Sequence, residues 1–124
     1  MKTLKSYTDV EQSRKLIRML PIDSPDMYID TNVTPNYIGR MYIDEEKSPE
    51  MCIESMLHNR LIPSWSLSAL LAVLPNASLN FNSATNNWWI HVYTREQSIL
   101  ETGYDNPIDA CVKVIETLFN RGLL

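Results

Sequence analysis

The chain has 124 residues, of which 44% are hydrophobic and 21% charged, and its formal net charge is −4. A chain of this size and composition buries an ordinary core, which excludes intrinsic disorder and predicts a single domain over residues 1–124. The acidic balance disfavours nucleic-acid binding, which needs clustered positive charge. The one local basic excess, at Arg14, Lys15 and Arg18, lies along a predicted helix and indicates a solvated face.

The N-terminal segment lacks the apolar run of a secretory signal. The longest apolar run, "LSALLAVL", is far shorter than the roughly 20 residues of a membrane span. We therefore expect a cytoplasmic protein with no membrane partner. Cys52 and Cys111 are then expected to be free thiols rather than a disulfide.

The first predicted helix covers residues 9–20. Thr8 and Glu11 have the spacing of a capping box, in which each side chain binds a free backbone N–H. Pro21 ends the helix because proline cannot continue the hydrogen-bond ladder. An apolar stripe at helical spacing supports the same element and comprises Val10, Leu16, Ile17 and Leu20.

A hairpin is predicted next. Residues 27–29 and the run "NYIGRMYID" at 36–44 favour two short strands, joined through the turn residues 34–36. Gly39 within the second run indicates a bulge or a close approach of another group to the backbone.

Three further helices are predicted from caps and apolar stripes. Ser48 and Pro49 can begin a short helix, although "MCIESM" also tolerates an extended conformation. Ser66 can cap a central helix that Pro75 ends. The C-terminal helix has the clearest signals, with an N-cap, a proline at the first position and a glycine stop at Asn106, Pro107 and Gly122.

Between the last two helices, "SLNFNS" and "NWWIHVYTREQSIL" favour strands joined around residues 83–87. Gly103 indicates a turn or a strand end. Side chains alternate across a strand, so one face carries Trp88, Ile90 and Val92 and is expected to pack against helices. The other face carries Trp89, His91 and Tyr93.

The chain shows no motif for catalysis or for phosphate binding. It has two histidines and lacks a G-x-S-x-G nucleophile elbow, and Cys111 lies on the apolar stripe of the last helix, where a cysteine acts as a small hydrophobe. The three glycines are too far apart to form a phosphate-binding loop. Cysteine and histidine spacings contain no paired metal ligands, so we expect neither a metal nor a cofactor.

Two groups of carboxylates, Asp44–Glu46 and the spread of Asp23, Asp26 and Asp30, are typical of solvated loops. A glycosidase-type pair would need two of them to be held a few ångströms apart across a cleft.

The aromatic strand is the main candidate for a binding site. Rings with polar edges can stack a planar group while their N–H and O–H groups fix its orientation. We predict ligand contacts at Trp89, His91, Tyr93 and Tyr104. The alternative is an amphipathic strand whose outer rings pair with neighbouring strands, for example at Tyr104 or Phe81.

Three segments, "TDVEQSRKLIRMLPIDSPDMYI", "IPSWSLSALLAVLP" and "YDNPIDACVKVIETLFNRGLL", resemble a group of small proteins encoded by phages and prophages, particularly of Bacteroides-type bacteria. The resemblance covers roughly half of the chain in the same order. It implies a shared fold, and it places the protein in the cytoplasm of a bacterial host. Small accessory phage proteins often inhibit or sequester host factors. The expectation that this protein does the same is an analogy with such proteins.

We therefore expect an α+β fold with an antiparallel sheet of about four strands. We expect the central and C-terminal helices to pack on one face of this sheet, and the fold to include an N-terminal helix as well. The expected function is non-catalytic binding that counters host defence by sequestering a small nucleotide-like signal or by inhibiting a host protein. The alternatives are a structural homo-oligomer, such as a homodimer, and a small hydrolase acting on a nucleotide derivative.

Overall fold

The structure is a computed structural model that describes residues 5–41 and 45–124. These residues form four helices and six strands, in the order α1 (Val10–Leu16), β1 (Met27–Asp30), β2 (Tyr37–Arg40), α2 (Pro49–His58), β3 (Leu61–Ser64), α3 (Leu67–Val73), β4 (Ala77–Asn82), β5 (Asn87–Tyr93), β6 (Ser98–Tyr104) and α4 (Pro107–Asn120). The predicted α+β class is confirmed.

The strands form two antiparallel sheets of three strands each, with the orders β2-β1-β3 and β4-β5-β6. The expectation of one sheet of about four strands is corrected, because β3 was not predicted and β6 was not separated from β5. β3 contains only four residues, one of which is proline, so its sequence carries little strand signal.

The chain divides into two compact units. The N-terminal unit is Tyr7–Ala69, and the C-terminal unit comprises Leu70–Leu124 with the described residues Lys5 and Ser6. The prediction of a single domain over residues 1–124 stays a prediction. None of the helices in the described parts of the chain is long and apolar enough to cross a membrane.

The sheet of the N-terminal unit is built around β1. Ile29 is buried and lies opposite Ile62 of β3 and Ile38 of β2. Gly39 lies opposite Tyr28, and a Cβ at position 39 would meet the Tyr28 ring at 2.5 Å. The predicted close approach at Gly39 is therefore confirmed. The predicted β2 strand ended at residue 44, and its last three residues lie outside the described part of the chain.

The cap of α1 is one residue later than predicted. Asp9, not Thr8, accepts the backbone N–H of Gln12 at 2.8 Å, and the Gln12 side chain accepts the N–H of Asp9 at 3.2 Å. The regular helix ends at Leu16, and turns continue the segment to residue 19, so the predicted span of 9–20 was too long.

Thr8 is fully buried and connects α1 to β3. Its hydroxyl lies 2.7 Å from Ser13 Oγ and 3.0 Å from Ser64 Oγ, and it accepts the backbone N–H of Trp65 at 3.0 Å. We call Thr8, Ser13, Ser64 and Trp65 the Thr8 network. Buried hydroxyl groups need such partners, because an unpaired one loses its hydration without compensation. This need explains why Thr8 is not available as the helix cap.

The segment before β1 is fixed to the same region. Trp65 is buried, and its indole N–H donates to Ser24 Oγ at 2.9 Å. Asp26 accepts the backbone N–H of Ser66 at 2.8 Å and also the Ser66 hydroxyl. These contacts join "TDVEQS", "PIDSPDM" and "IPSWS", which belong to the segments behind the phage-protein resemblance. In this unit those residues hold the fold together.

The predicted helix starts after residue 45 are confirmed. Ser48 Oγ accepts the N–H of Met51 in α2, and Ser66 Oγ accepts the N–H of Ala69 in α3, both at 3.2 Å. α3 ends at Val73, ahead of Pro75. Asn106 caps α4 by accepting the N–H of Asp109 at 2.8 Å, with Pro107 at the first position.

The C-terminal unit packs α4 against β5 and β6. The apolar stripe that the sequence predicts on this helix comprises Ile108, Cys111, Val112, Ile115, Leu118 and Phe119, and all of these are buried except Phe119, which is 41% exposed. Pro107, Ala110 and Val114 are buried as well. Ile90 and Val92 of β5 and Ile99 of β6 are buried with them, so the core of this unit lies on one side of the sheet. Lys5 forms an ion pair with Asp109 at 2.9 Å.

Candidate functional site

The strand β5 lies in the middle of its sheet, and its two faces differ in burial. Ile90 and Val92 are fully buried on the side of α4, as predicted. Trp88 shares their face, but its ring is only half-buried and lies 5.2 Å from the ring of Phe81, measured between centroids. Trp88 is the second residue of β5 and lies beside the β4–β5 turn. The expectation that it is a core residue is therefore corrected.

The opposite face of β5 carries Trp89, His91 and Tyr93. The registers place Ser78 and Asn80 of β4 beside His91 and Trp89, and Leu100 and Ser98 of β6 beside His91 and Tyr93. We call this surface the outer face. It consists of Ser78, Asn80, Trp89, His91, Tyr93, Ser98 and Leu100. None of these side chains is a carboxylate, an ammonium or a guanidinium.

The outer face is exposed to solvent at the end of β5 and on its β6 side. Tyr93 is 46% exposed and Leu100 is 56% exposed, while Trp89 and His91 are half-buried. Leu100 was not among the predicted contacts, because in the sequence it looks like one more apolar residue of a strand. Only the register with His91 shows that it extends the aromatic row.

His91 and Tyr93 form a pair on the outer face. The Tyr93 hydroxyl lies 2.9 Å from His91 Nδ1, and the ring centroids are 4.1 Å apart with an interplanar angle of 35°. Residues two apart on a strand project from the same face, which allows this contact. The hydrogen bond and the ring contact together restrict both side chains.

Tyr104 does not belong to the outer face. It lies opposite Trp88, and the register between β5 and β6 shifts between Trp88 and Ile90. The shift places two residues of β6, Thr102 and Gly103, opposite the single residue Trp89. Gly103 has a φ of 85°, a backbone conformation that glycine adopts without strain. The predicted grouping of Tyr104 with Trp89, His91 and Tyr93 is therefore wrong, because this bulge changes the side on which Tyr104 projects.

The hydroxyl of Tyr104 donates to Glu101 Oε2 at 3.0 Å. Burial, this hydrogen bond and the nearby negative charges of Glu101, Glu116 and Asp109 raise the pKa of Tyr104 to about 12. Two of those carboxylates belong to α4, in agreement with a position on the α4 side of the sheet.

No family model, no curated protein and no solved structure matches the chain. The chemistry of the side chains on the outer face and elsewhere is therefore the basis for any function proposed for this chain.

Within the described residues, no group of three or more histidine, cysteine, aspartate or glutamate side chains is arranged to hold a metal ion. Cys111 is buried, and burial raises the pKa of its thiol to about 12. A thiol with such a pKa stays protonated at neutral pH and is a poor nucleophile. Cys52 is a half-buried free thiol in the N-terminal unit.

The N-terminal unit contains a cavity of about 340 Å³ that the sequence did not indicate. Its apolar lining comes from the segment before β1, the end of β2 and the start of α2, and comprises Ile22, Pro25, Met41, Pro49 and Ile53. Asp23, Asp26, Lys47 and Cys52 also line it. Both oxygens of Asp26 already accept hydrogen bonds from Ser66. These residues are separated in the sequence, so only the folded chain assembles the cavity.

Proposed function

We propose that the protein is a non-catalytic binding protein that docks on a host protein through its outer face. The observation that carries this proposal is the exposed row of Tyr93 and Leu100 beside the fixed His91 ring. Exposed apolar surface costs free energy in water, so a contiguous patch of it indicates an interaction site. Tyrosine and tryptophan are also the residues that contribute most to the affinity of protein interfaces.

The shape of the outer face favours a protein over a small molecule. Sites for small molecules are concave and enclose most of the ligand, whereas a sheet face contacts a ligand from one side only. A protein partner can cover Trp89, Tyr93 and Leu100 together and remove all three from water. The outer face carries no lysine or arginine to pair with a phosphate group, which argues against a nucleotide-like ligand at this position.

The resemblance to phage and prophage proteins supplies the biological setting of the proposal. A protein made in an infected bacterium meets the proteins of its host, and inhibition of a host defence protein needs only tight binding. In such a mechanism Trp89, Tyr93 and Leu100 anchor the partner. The hydrogen-bonding groups of His91 and Tyr93 then select its orientation.

The test compares the wild type with Tyr93→Ala and Leu100→Glu. A host protein cross-linked to the outer face is identified by mass spectrometry, purified, and titrated with each variant by calorimetry. Loss of an anchor at the centre of a protein interface costs about 2 kcal/mol or more, so both variants are expected to bind at least about tenfold more weakly.

Phe119→Glu is the matched control, because Phe119 is an exposed apolar residue of α4 in the same unit. It is expected to bind like the wild type. Thermal unfolding confirms that each variant is folded. A partner that binds Leu100→Glu as tightly as the wild type would overturn the proposal.

A second candidate function, capture of a small molecule, has its own observation in the cavity of the N-terminal unit. The volume of about 340 Å³ and the largely apolar lining suit a small apolar ligand. Its acidic and basic side chains are two carboxylates, Asp23 and Asp26, and one ammonium group, Lys47. This balance favours a neutral or cationic ligand over the nucleotide-like anion expected from the setting.

Calorimetry with cyclohexylamine, cyclohexanol and adenosine monophosphate distinguishes these classes. We expect the amine or the alcohol to bind and the nucleotide not to bind. Ile53→Trp, which fills the cavity, is expected to abolish binding, whereas Leu57→Trp at an exposed position of the same helix is not. Binding of the nucleotide alone would contradict this assignment.

A further inference from the structure

The strand β4 forms one edge of the sheet in the C-terminal unit and pairs only with β5 there. The carbonyl of Asn76 accepts the backbone N–H of Tyr93 at 2.8 Å, so the backbone groups of residue 76 point toward β5. Along an antiparallel strand this direction alternates with every residue. The N–H and C=O groups of Ala77, Leu79 and Phe81 consequently point away from β5.

Across the described residues, no backbone hydrogen bond to these three residues comes from outside the sheet. An edge with free N–H and C=O groups is a template for pairing with another strand. Proteins usually block such an edge with a charged residue, a proline or a bulge. The β4 sequence "ASLNFN" has no charged residue and no proline, and its register with β5 is regular.

The opposite edge of the same sheet is protected. β6 carries Glu101, and the bulge at Gly103 interrupts its ladder. Because β6 has features that block pairing and β4 has none, β4 is the edge of this sheet that is suited to pair with another strand.

We propose that β4 pairs with β4 of a second copy of this chain, in antiparallel orientation about a two-fold axis at Leu79. In this register Leu79 faces its own counterpart, and Ala77 faces residue 81 of the other copy. All three outward-pointing residues then take part, which gives about six hydrogen bonds across the axis. A shift by two residues in either direction leaves one of the three unpaired.

The side chains of β4 fit a copy of themselves. Phe81 is 47% exposed and lies opposite the small side chain of residue 77 in the second copy, so a large group meets a small one. On the outer face, Asn80 lies opposite residue 78, a serine, and the Asn80 amide already donates to Ser78 within its own chain at 2.9 Å. The absence of charge on β4 means that two-fold pairing brings no like charges together.

The two-fold axis is perpendicular to the sheet, so the outer faces of both copies lie on the same side of one continuous sheet. A dimer of this kind presents two identical binding surfaces and gains avidity for a repeating or dimeric partner. The pairing itself does not depend on the proposed function, because it uses the edge of the sheet and not the anchors of the outer face.

The test is the mass of the protein in solution, measured by light scattering after gel filtration. The chain has a mass of 14.3 kDa, and we expect the wild type at about twice that mass. The double variant S78K/N80K places lysines opposite each other across the axis and is expected to be a monomer. The double variant S78E/N80E is expected to be a monomer for the same reason.

Mixing the two charged variants supplies the decisive measurement. Opposite charges then meet across the axis, so the mixture is expected to form a heterodimer while each variant alone stays monomeric. S98K/T102K is the matched control, because it adds the same charge at exposed positions of β6 and is expected to stay dimeric. A monomeric wild type overturns the proposal, as does a dimer that the β4 substitutions leave intact. Normal thermal unfolding of each variant shows that loss of the dimer is not loss of the fold.

Discussion

The hydroxyl of Tyr93 lies 2.9 Å from Nδ1 of His91, and the two rings are in contact on the open face of the sheet. This pair fixes two of the groups that we propose for binding. It lies in water and not in a core, so its contribution to folding is small. Function and stability can therefore be separated at this position.

Tyr93→Phe removes the hydroxyl and keeps the ring. We expect the free energy of unfolding to change by less than about 1 kcal/mol, because an exposed hydrogen bond contributes little net stability. The measurement is urea unfolding, with Tyr37→Phe at the exposed Tyr37 of the N-terminal unit as the control. A loss above about 2 kcal/mol would mean that the pair is a structural element and would weaken its assignment to binding.

The pKa of Tyr104 predicts how stability depends on pH. The folded-state pKa of about 12 lies above the ordinary value of 10.0, so the folded protein retains a proton there that the unfolded chain loses. The stabilisation is fully present below pH 10.0 and is lost as the pH rises through about 12. Tyr104→Phe has no such proton, so its stability is expected to fall less steeply in this window.

Urea unfolding of the wild type and Tyr104→Phe at a series of alkaline pH values checks this sign. Tyr37→Phe is again the control and is expected to follow the wild type. Parallel curves for the wild type and Tyr104→Phe would show that Tyr104 ionises like an exposed tyrosine, contrary to its contact with Glu101.

The Thr8 network predicts that the loss of one hydroxyl group lowers the free energy of unfolding. Thr8→Val keeps the shape of the side chain but removes the group that lies between Ser13, Ser64 and the Trp65 N–H. The Ser13 and Ser64 hydroxyls still donate to the backbone carbonyl of Thr8, so the buried Trp65 N–H is the group that loses its partner. A buried polar group without a partner costs about 1–3 kcal/mol, and we expect a loss of that size in unfolding free energy.

Thr31→Val is the comparison for this change. The Thr31 hydroxyl also makes one hydrogen bond, to the carbonyl of Arg60 at 2.7 Å, but it is exposed, and water replaces the lost partner. Equal losses for Thr8→Val and Thr31→Val in chemical denaturation would refute the argument from burial.

The two thiols are expected to react at different rates. Cys111 is buried with a pKa raised to about 12, whereas Cys52 is half-buried on α2. A thiol-specific disulfide reagent is expected to modify Cys52 in the folded protein and Cys111 only after unfolding. Cys52→Ser isolates the slow thiol, and Cys111→Ala isolates the fast one. Rapid modification of Cys111 under native conditions would show that the α4 core opens readily.

The sequence predicted the elements whose signals are local. The cap and proline at Asn106 and Pro107 define the start of α4, because the capping side chain binds a backbone group only three residues away. The starts of α2 and α3 follow from Ser48 and Ser66 for the same reason. Strand alternation correctly grouped Trp89, His91 and Tyr93, since that rule needs no neighbouring strand.

Only the tertiary structure decided the features that depend on distant partners. Thr8 and Asp9 are both good helix caps, and the contacts of Thr8 with Ser64 and Trp65, more than fifty residues away, leave the cap to Asp9. β3 exists because β1 pairs with it, although its own four residues favour a strand only weakly. Tyr104 projects away from the outer face because a bulge at Gly103 shifts the register, and a single strand does not reveal the register of its neighbour. Capping hydrogen bonds and strand alternation depend on residues that are close in the sequence. Burial and strand register depend on contacts with residues that are distant in the sequence.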